Sequence, residues 1–357
     1  MAVIEAALQR AWRRRGPSAR LLWPLSVVFA TGVTLRRALY RWRLLQPQVL
    51  PVPVIVIGNL IAGGAGKTPT VMAVVLRLQA RGYTPGVISR GHGRRRDATA
   101  VMAVQPTTPA TEAGDEPLLL RLRLGVPVFV GVDRVAVARA ALAAHPEIDV
   151  LVSDDGLQHL RLPRVAQVVV FDERGAGNGW MLPAGPLRER LTPHPPPNTL
   201  VLYNAPQAST RWPGHVATRT LSGLVSLADW WVGRAATRPC MAALAATQTS
   251  VIAAAGVAQP ERYFNMLRAA GLAITPLPLP DHHDFASLPW PVDAGDVVVT
   301  EKDAVKLRPE RVAAGGASTR VWVAPLDFSV DADFDASLQG LLPPRSTLRI
   351  PDGDTTA

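Results

Sequence analysis

The sequence predicts an α/β fold: a mostly parallel sheet flanked by helices, followed by a second, smaller α/β domain and preceded by a helical segment. Three observations carry that expectation. A β-branched run, Val54 to Ile57, leads into the glycine-rich turn GNLIAGGAGKTP (58–69) and then an apolar helical pattern. Short apolar runs then alternate with helix-length segments as far as residue 310, the pattern of repeated βα units. The first 50 residues differ in kind, with nine arginines and one acid, Glu5, around a charge-free apolar stretch. The expected organisation is 1–50, a membrane-facing helical segment; 51–222, a P-loop nucleotide-binding domain; 223–345, the smaller α/β domain; and 346–357, a disordered tail.

A chain of 357 residues has room for two domains of about 100–200 residues each. Its single cysteine, Cys240, excludes an intramolecular disulfide and a multi-cysteine zinc site, and fits a reducing compartment. The net charge of +10 suggests nucleic acid until it is located. Residues 1–50 carry +8, whereas the remainder holds 29 basic and 27 acidic residues. The expected partner is therefore an anionic surface met by the N-terminus, with no nucleic acid.

Residues 3–15 read as an amphipathic helix, with Ile4, Ala7, Leu8, Ala11 and Trp12 on one side and Arg10, Arg13 and Arg14 on the other. Leu21 to Leu35 is charge-free, interrupted by Pro24 and Gly32 and closed by Arg36 and Arg37. It is shorter than the roughly 20 residues that span a bilayer, so two readings stand: peripheral attachment to a membrane surface, or a helix packed on the body of the protein.

In the turn after Ile57, glycines 58, 63, 64 and 66 let the backbone close tightly with its N–H groups inward, a shape that suits phosphate oxygens. Lys67 would reach the terminal phosphates and Thr68 would offer a hydroxyl to Mg²⁺. Ile61 stands where the usual P-loop has its first glycine. A strand at 86–88 ends in the basic turn SRGHGR (89–94). Asp115, in GDEP (114–117), reads equally as a helix cap and as a catalytic base. A strand at 148–152 ends in Ser153-Asp154-Asp155-Gly156, acids placed where a P-loop protein needs its second Mg²⁺ contact. The adjacent Arg188 and Glu189, after a glycine- and proline-rich loop, carry no assignment by themselves. Residues 211–238 show little periodicity and read as a linker. Beyond it, the strand 250–255 and the helix 259–270 open the second domain. In PDHHDF (280–285) two histidines and two aspartates crowd a single loop, which fits a His–Asp pair or a polar turn better than a metal site.

In order along the chain, GNLIAGGAGKTP, ISRGHGR, GDEP, VGVDR (130–134), SDDGLQH (153–159), GNGWMLPAGPLRE (177–189), AAGVAQPERYFNMLRAAGL (254–272), PDHHDF and TEKDAVK (300–306) resemble one family closely. It is the tetraacyldisaccharide 4′-kinase family, the lipid A 4′-kinases of Gram-negative bacteria. Ile61, and His92 where an aromatic such as tyrosine is expected, are small departures; residues 205–240 match little.

The resemblance implies transfer of the γ-phosphate of ATP to the 4′-hydroxyl of a tetraacylated glucosamine disaccharide 1-phosphate, giving lipid IVA at the cytoplasmic face of the bacterial inner membrane. On this expectation Ile61, Ala62, Gly63, Gly64, Ala65, Gly66, Lys67 and Thr68 wrap the ATP phosphates, and Thr68 with Asp154 or Asp155 holds Mg²⁺. Asp115 accepts the proton of the sugar hydroxyl, paired to His282, an arrangement the resemblance supports. Arg188 and Glu189 line the same site, one toward phosphate and one toward the metal. Arg90 and the N-terminal arginines are candidates for the lipid's 1-phosphate. Two rivals belong to other classes. One is a P-loop GTPase or metal-insertion chaperone, against which no asparagine is followed by lysine as guanine reading requires. The other is a membrane-interaction protein that only binds nucleotide.

Overall fold

The computed structural model describes residues 8–94, 100–314 and 319–344. The expected tail 346–357 lies outside the described residues, as does the start of the helix expected over 3–15, of which residues 8–11 are helical. Along the chain come helix α1 (Pro17–Arg41), strand β1 (Val54–Gly58), α2 (Lys67–Ala80), β2 (Pro85–Ser89), β3 (Met102–Ala103), α3 (Asp115–Leu124), β4 (Val128–Val130), α4 (Arg134–Ala144), β5 (Val150–Asp154), β6 (Ala166–Asp172), β7 (Thr199–Asn204) and β8 (His215–Leu221). They continue with β9 (Val225–Ser226), β10 (Val251–Ala255), α5 (Pro260–Ala269), β11 (Ile274–Pro278), β12 (Asp296–Val299), α6 (Glu301–Ala304), β13 (Arg320–Val323), β14 (Leu326–Val330) and α7 (Ala332–Leu341).

Contacts group the chain into two compact units, each built from separated stretches: 1–90, 133–218 and 329–357 in the first, 91–132 and 219–328 in the second. The expectation separated the two α/β domains at a single break, 222/223, set 1–50 and 346–357 apart, and gave 91–132 to the nucleotide-binding domain. Strand–helix alternation tells which elements follow one another, not which core each joins, so a stretch that leaves one unit and returns is invisible to it.

In the first unit β1 lies between β5 and β6, parallel to both; β2 extends the sheet beyond β5, and β7 and β8 extend it beyond β6, all parallel. Every residue of β1 is buried, the signature of a parallel strand covered on both faces. Its register sets Ile57 beside Asp154, so the glycine-rich turn leaves β1 next to the acids that end β5. Such strand ends are where open parallel sheets bind ligands.

Helix α1 runs unbroken through Pro24 and Gly32 for 25 residues. One face is tied to the 177–189 loop: Ser26 Oγ donates to Met181 O at 2.7 Å and accepts from Ala184 N at 2.8 Å, and Ala19 and Ala30 are buried beside it. Leu21, Leu25, Val28 and Leu35 recur at helical spacing on exposed positions. One side of the helix packs on protein, as the second reading expects, and the other presents an exposed apolar stripe.

The second unit centres on β10, parallel to β11 and β12; β13 adds parallel to β12, and β9 closes the edge antiparallel to β13. Helix α5 covers this sheet with Tyr263, Phe264 and Leu267, which pack with Val251, Ala253, Ala255 and Val298. The region 211–238, expected as a linker, instead contains β8, β9 and the helix Leu227–Trp231, with Trp212 and Trp230 buried. Elements this short lack the two or three periods that make a pattern legible.

Candidate active site

In the first unit the glycine-rich turn takes the form its residues require. Gly63 and Gly66 sit at φ 93° and 88°, where a Cβ would be strained, and α2 starts at Lys67. Four successive carbonyls are held by side chains. Arg174 reaches Ala62 O (3.4 Å) and Gly64 O (2.8 Å), Asn59 Nδ2 reaches Gly63 O (2.9 Å), and Asn204 Nδ2 reaches Ala65 O (2.9 Å). In a trans peptide the N–H of the next residue points opposite to the carbonyl, so the N–H groups of Gly63, Gly64, Ala65 and Gly66 each point away from the side chain that holds the preceding carbonyl. A run of such N–H groups makes an anion-binding concavity. Ile61 is explained by pairing. It bridges antiparallel to Leu187, Ala62 N donates to Pro186 O (2.8 Å) and Arg188 N donates to Leu60 O (2.7 Å), so this position is strand-like and needs no glycine.

Lys67 Nζ lies 3.8 Å from Asp155 Oδ1 and donates to Asn59 Oδ1 at 3.4 Å. Arg188 Nη1 contacts both oxygens of Asp155, at 3.1 and 3.3 Å. Burial works against the charge on Asp155, but Lys67 and Arg188 outweigh it and hold the carboxyl below its ordinary range. Asp155 stands at φ 50°, a conformation that costs a non-glycine residue about 1–3 kcal/mol and is characteristic of functional sites. Asp154, buried at the end of β5, accepts from Ser89 Oγ at 3.1 Å, and Thr68 is buried in the first turn of α2. Hydroxyl and carboxylate oxygens such as those of Thr68, Asp154 and Asp155 are the hard donors that Mg²⁺ prefers. Glu189 turns the other way from Arg188: it pairs with Arg37 of α1 at 2.5 Å and accepts from Gln158 Nε2 at 3.3 Å.

In the second unit Asp115 opens α3. Gly114 precedes it at φ 87°, where a Cβ would meet His92 O at 2.6 Å. The Asp115 side chain, 4% exposed, accepts from Glu116 N at 3.0 Å through Oδ1 and meets His282 Nδ1 at 2.8 Å through Oδ2. Burial would raise its pKa, but the His282 hydrogen bond and the charges of Lys302, His282 and Lys306 bring it down to about 2. The same hydrogen bond raises the pKa of His282 against the effect of burial. The rest of PDHHDF is spent on its own turn: His283 Nδ1 accepts from Phe285 N at 3.1 Å and Asp284 Oδ1 from Ala286 N at 2.9 Å. Among the described residues no group of three or more His, Cys, Asp or Glu side chains is arranged to hold a metal ion. A cavity of about 460 Å³ opens against Asp115 and His282, with Asp284, Lys306, Arg308 and Arg311 in its walls.

Several residues in these surroundings escaped the sequence reading. Asn59, Arg174 and Asn204 shape the turn by holding its carbonyls, and no spacing rule announces them. Arg134, 1% exposed, lies in VGVDR, a stretch that marks the resemblance without suggesting a role. Burial draws its pKa down to about 10 while Asp154 and Asp155 oppose the shift. Lys302 and Lys306 lie in TEKDAVK, a stretch that marked a resemblance without suggesting a role.

The family model described as Tetraacyldisaccharide-1-P 4′-kinase matches residues 18–343. The chain is 54% identical over 349 residues to the Tetraacyldisaccharide 4′-kinase of Methylibium petroleiphilum, covering 98% of this chain and 96% of that protein. With the Tetraacyldisaccharide 4′-kinase of Leptothrix cholodnii it shares 53% identity over 343 residues, 96% of this chain and 97% of that one. In fold it is similar to the crystal structure of LpxK from Aquifex aeolicus in complex with ATP, with a TM-score of 0.73 at 23% identity, covering 90% of this chain and 99% of that one.

The Asp115–His282 pair makes a signed prediction for stability. Asp115, depressed from 3.8, stabilises the fold above that pH and loses its contribution as pH falls toward about 2. His282, raised from 6.5, stabilises below that value and loses its contribution as pH rises through its folded pKa. The stability lost in His282→Ala, measured by urea unfolding at several pH values, is therefore expected to be largest between about pH 4 and 6.5 and to shrink on both sides.

Proposed function

This chain belongs to the tetraacyldisaccharide-1-P 4′-kinase family, and from that premise we propose that it transfers the γ-phosphate of ATP to the 4′-hydroxyl of a tetraacylated glucosamine disaccharide 1-phosphate, making lipid IVA for lipid A biosynthesis. The observation that carries the mechanism is Asp115: a buried carboxylate, ionised, bonded to His282 and open to a cavity.

The N–H groups of residues 63–66 cradle the ATP phosphates, and Lys67 neutralises the β- and γ-oxygens. Thr68 with Asp154 or Asp155 would hold Mg²⁺, which when bound supplies further charge neutralisation on those oxygens. Arg188, already aimed at Asp155, offers a fork for a phosphate oxygen. As the 4′-oxygen forms its bond to the γ-phosphorus and the bond to the bridging oxygen of ADP breaks, Asp115 takes the hydroxyl proton. The base is stronger when His282 is neutral, because the positive charge that depresses the Asp115 pKa is then gone. The competent form accordingly grows as pH rises through the pKa of His282, and the resulting acid limb belongs to the pair rather than to either residue.

The acceptor is a lipid, and α1 supplies a way to meet it. Its stripe of Leu21, Leu25, Val28 and Leu35 enters the interface of the membrane while the Ser26 face stays on the protein. Arginines at 10, 13, 14, 15 and 20 before the stripe and at 36, 41 and 43 after it favour an anionic surface. Such attachment puts the enzyme at the cytoplasmic face of the bacterial inner membrane, where ATP is present. Among the described residues α1 is the one helix long and apolar enough to cross a membrane, yet its docked polar face suits an interfacial position better.

Incubation with γ-labelled ATP and the tetraacyl disaccharide 1-phosphate is expected to place label in the lipid. Asp115→Asn should then lower kcat by about 10²–10⁴ while leaving the KM for ATP nearly unchanged; a kcat within tenfold of wild type would remove Asp115 as the base. The double substitution Leu25→Glu with Val28→Glu should weaken co-sedimentation with anionic phospholipid vesicles by roughly tenfold or more. Unchanged sedimentation would take α1 out of the membrane contact.

A further inference from the structure

The contacts around Asp115 close into a ring. His282 Nδ1 meets Asp115 Oδ2 at 2.8 Å; Lys306 Nζ lies 4.0 Å from the same oxygen and 3.1 Å from Asp303 Oδ1. The other oxygen of Asp303 accepts from Gly256 N at 3.1 Å and from Thr300 Oγ1 at 2.7 Å. Gly256 O in turn accepts from the backbone N of His282 at 3.2 Å, which completes the circuit. Position 256 must be glycine for this to form, since a Cβ there would stand 2.9 Å from Asp303 Oδ1 and 3.2 Å from His283 Cβ.

Two carboxylates in this ring are almost fully withdrawn from water, Asp303 at 0% and Asp115 at 4% exposure. Lys306, its side chain 7% exposed, is the cation that lies between them. Buried charges of one sign are costly unless a counter-charge is equally fixed, and Asp303 fixes this one from a position itself held by a backbone N–H and a hydroxyl. At 4.0 Å the ammonium is beyond hydrogen-bond distance of Asp115, so it acts through charge and leaves Oδ2 free to receive a proton. Lys306 also lines the cavity that Asp115 and His282 open onto.

We propose that Lys306 is a positioning residue for phosphate transfer: clamped by Asp303, it holds the Asp115 carboxylate in the geometry that meets His282 and faces the cavity. The inference rests on Asp115 being the base. The other charged groups around the pair are Lys302, paired with Glu116 at 2.7 Å; Asp281, 3.9 Å from His282 Nε2; Asp284, Arg308 and Arg311 in the cavity wall; and the His92 ring, 5.1 Å from that of His282. Lys302 and Lys306 are both paired to carboxylates and both lower the Asp115 pKa, Lys302 the more; Lys306 is the lysine that lies 4.0 Å from Asp115 Oδ2 and in the wall of the cavity. Its loss lets the side chain leave the geometry the ring imposes, which lowers activity, and removes a positive charge beside the pair, which raises the pKa values of the pair.

The test compares Lys306→Met and Lys306→Arg with wild type and Asp115→Asn in the labelled-phosphate assay, over a pH series and with thermal unfolding in parallel. Lys306→Met is expected to lose roughly 10–100-fold in kcat, keep the KM for ATP within about twofold, and shift its acid limb to higher pH. Lys306→Arg should recover most of the kcat and return the limb. If Lys306→Met does not fold, Lys306→Gln carries the same readouts. A folded neutral variant with wild-type kcat and an unmoved limb overturns the proposal, as does a loss that merely follows the fraction unfolded while the limb stays in place. Failure of the underlying reading looks different: wild type transfers no phosphate, or Asp115→Asn keeps its kcat, and the inference about Lys306 falls with it.

Discussion

The hydrogen bond between His282 Nδ1 and Asp115 Oδ2 joins residues 167 positions apart and sets the demands that the surrounding chain meets. A carboxylate with this little exposure would gain a proton unless charge and donors were fixed around it. Two donors reach it, Glu116 N at the start of α3 and the imidazole of His282, and the ammonium of Lys306 adds its charge from 4.0 Å. Two backbone conformations bring them there. Gly114 at φ 87° lets α3 begin with Asp115, and His282 at φ 59° accepts a strained conformation that aims its ring at the carboxylate.

The glycine-rich turn of the first unit is shaped through its backbone in place of its side chains. Its carbonyls are held by Asn59, Asn204 and Arg174, which fixes the direction of the N–H groups that follow them. Arg174 is itself held by Asp172, which is fully buried. The loop 177–189 serves two neighbours of the first unit at once. Its residues 186–188 pair with Leu60 to Ala62, and residues 178–184 hold Trp12, Arg15 and Ser26 of the N-terminal segment. Arg188 and Glu189, consecutive in sequence, therefore serve different partners, Asp155 and Arg37.

What the sequence made legible follows from range. β1, its turn and α2 are contiguous, and the apolar run, the glycines and the Gly-Lys-Thr triplet all describe one local object. The acids after β5 were legible for the same reason. Asp115 was not decidable between cap and base, because the partner that distinguishes them lies on a loop far along the chain; resemblance to a family supplied the pairing. Glu189 was expected toward the metal, while its contacts run to Gln158 and to Arg37 on α1, a pairing no local pattern encodes. The assignment of 91–132 to the second unit and the short elements in 211–238 escaped because periodicity reports on faces of single elements. Lys306 was in view throughout as a letter of TEKDAVK, and only the ring through Gly256 and Asp303 gives it a task.

The account turns on His282 and Asp115 acting as one coupled pair, and titration of the His282 imidazole by NMR in ¹⁵N-histidine-labelled protein tests that directly. The pair predicts a His282 pKa above the ordinary 6.5 in wild type and a fall to or below that value in Asp115→Asn. A wild-type value at or below 6.5, or one unmoved by Asp115→Asn, would contradict it.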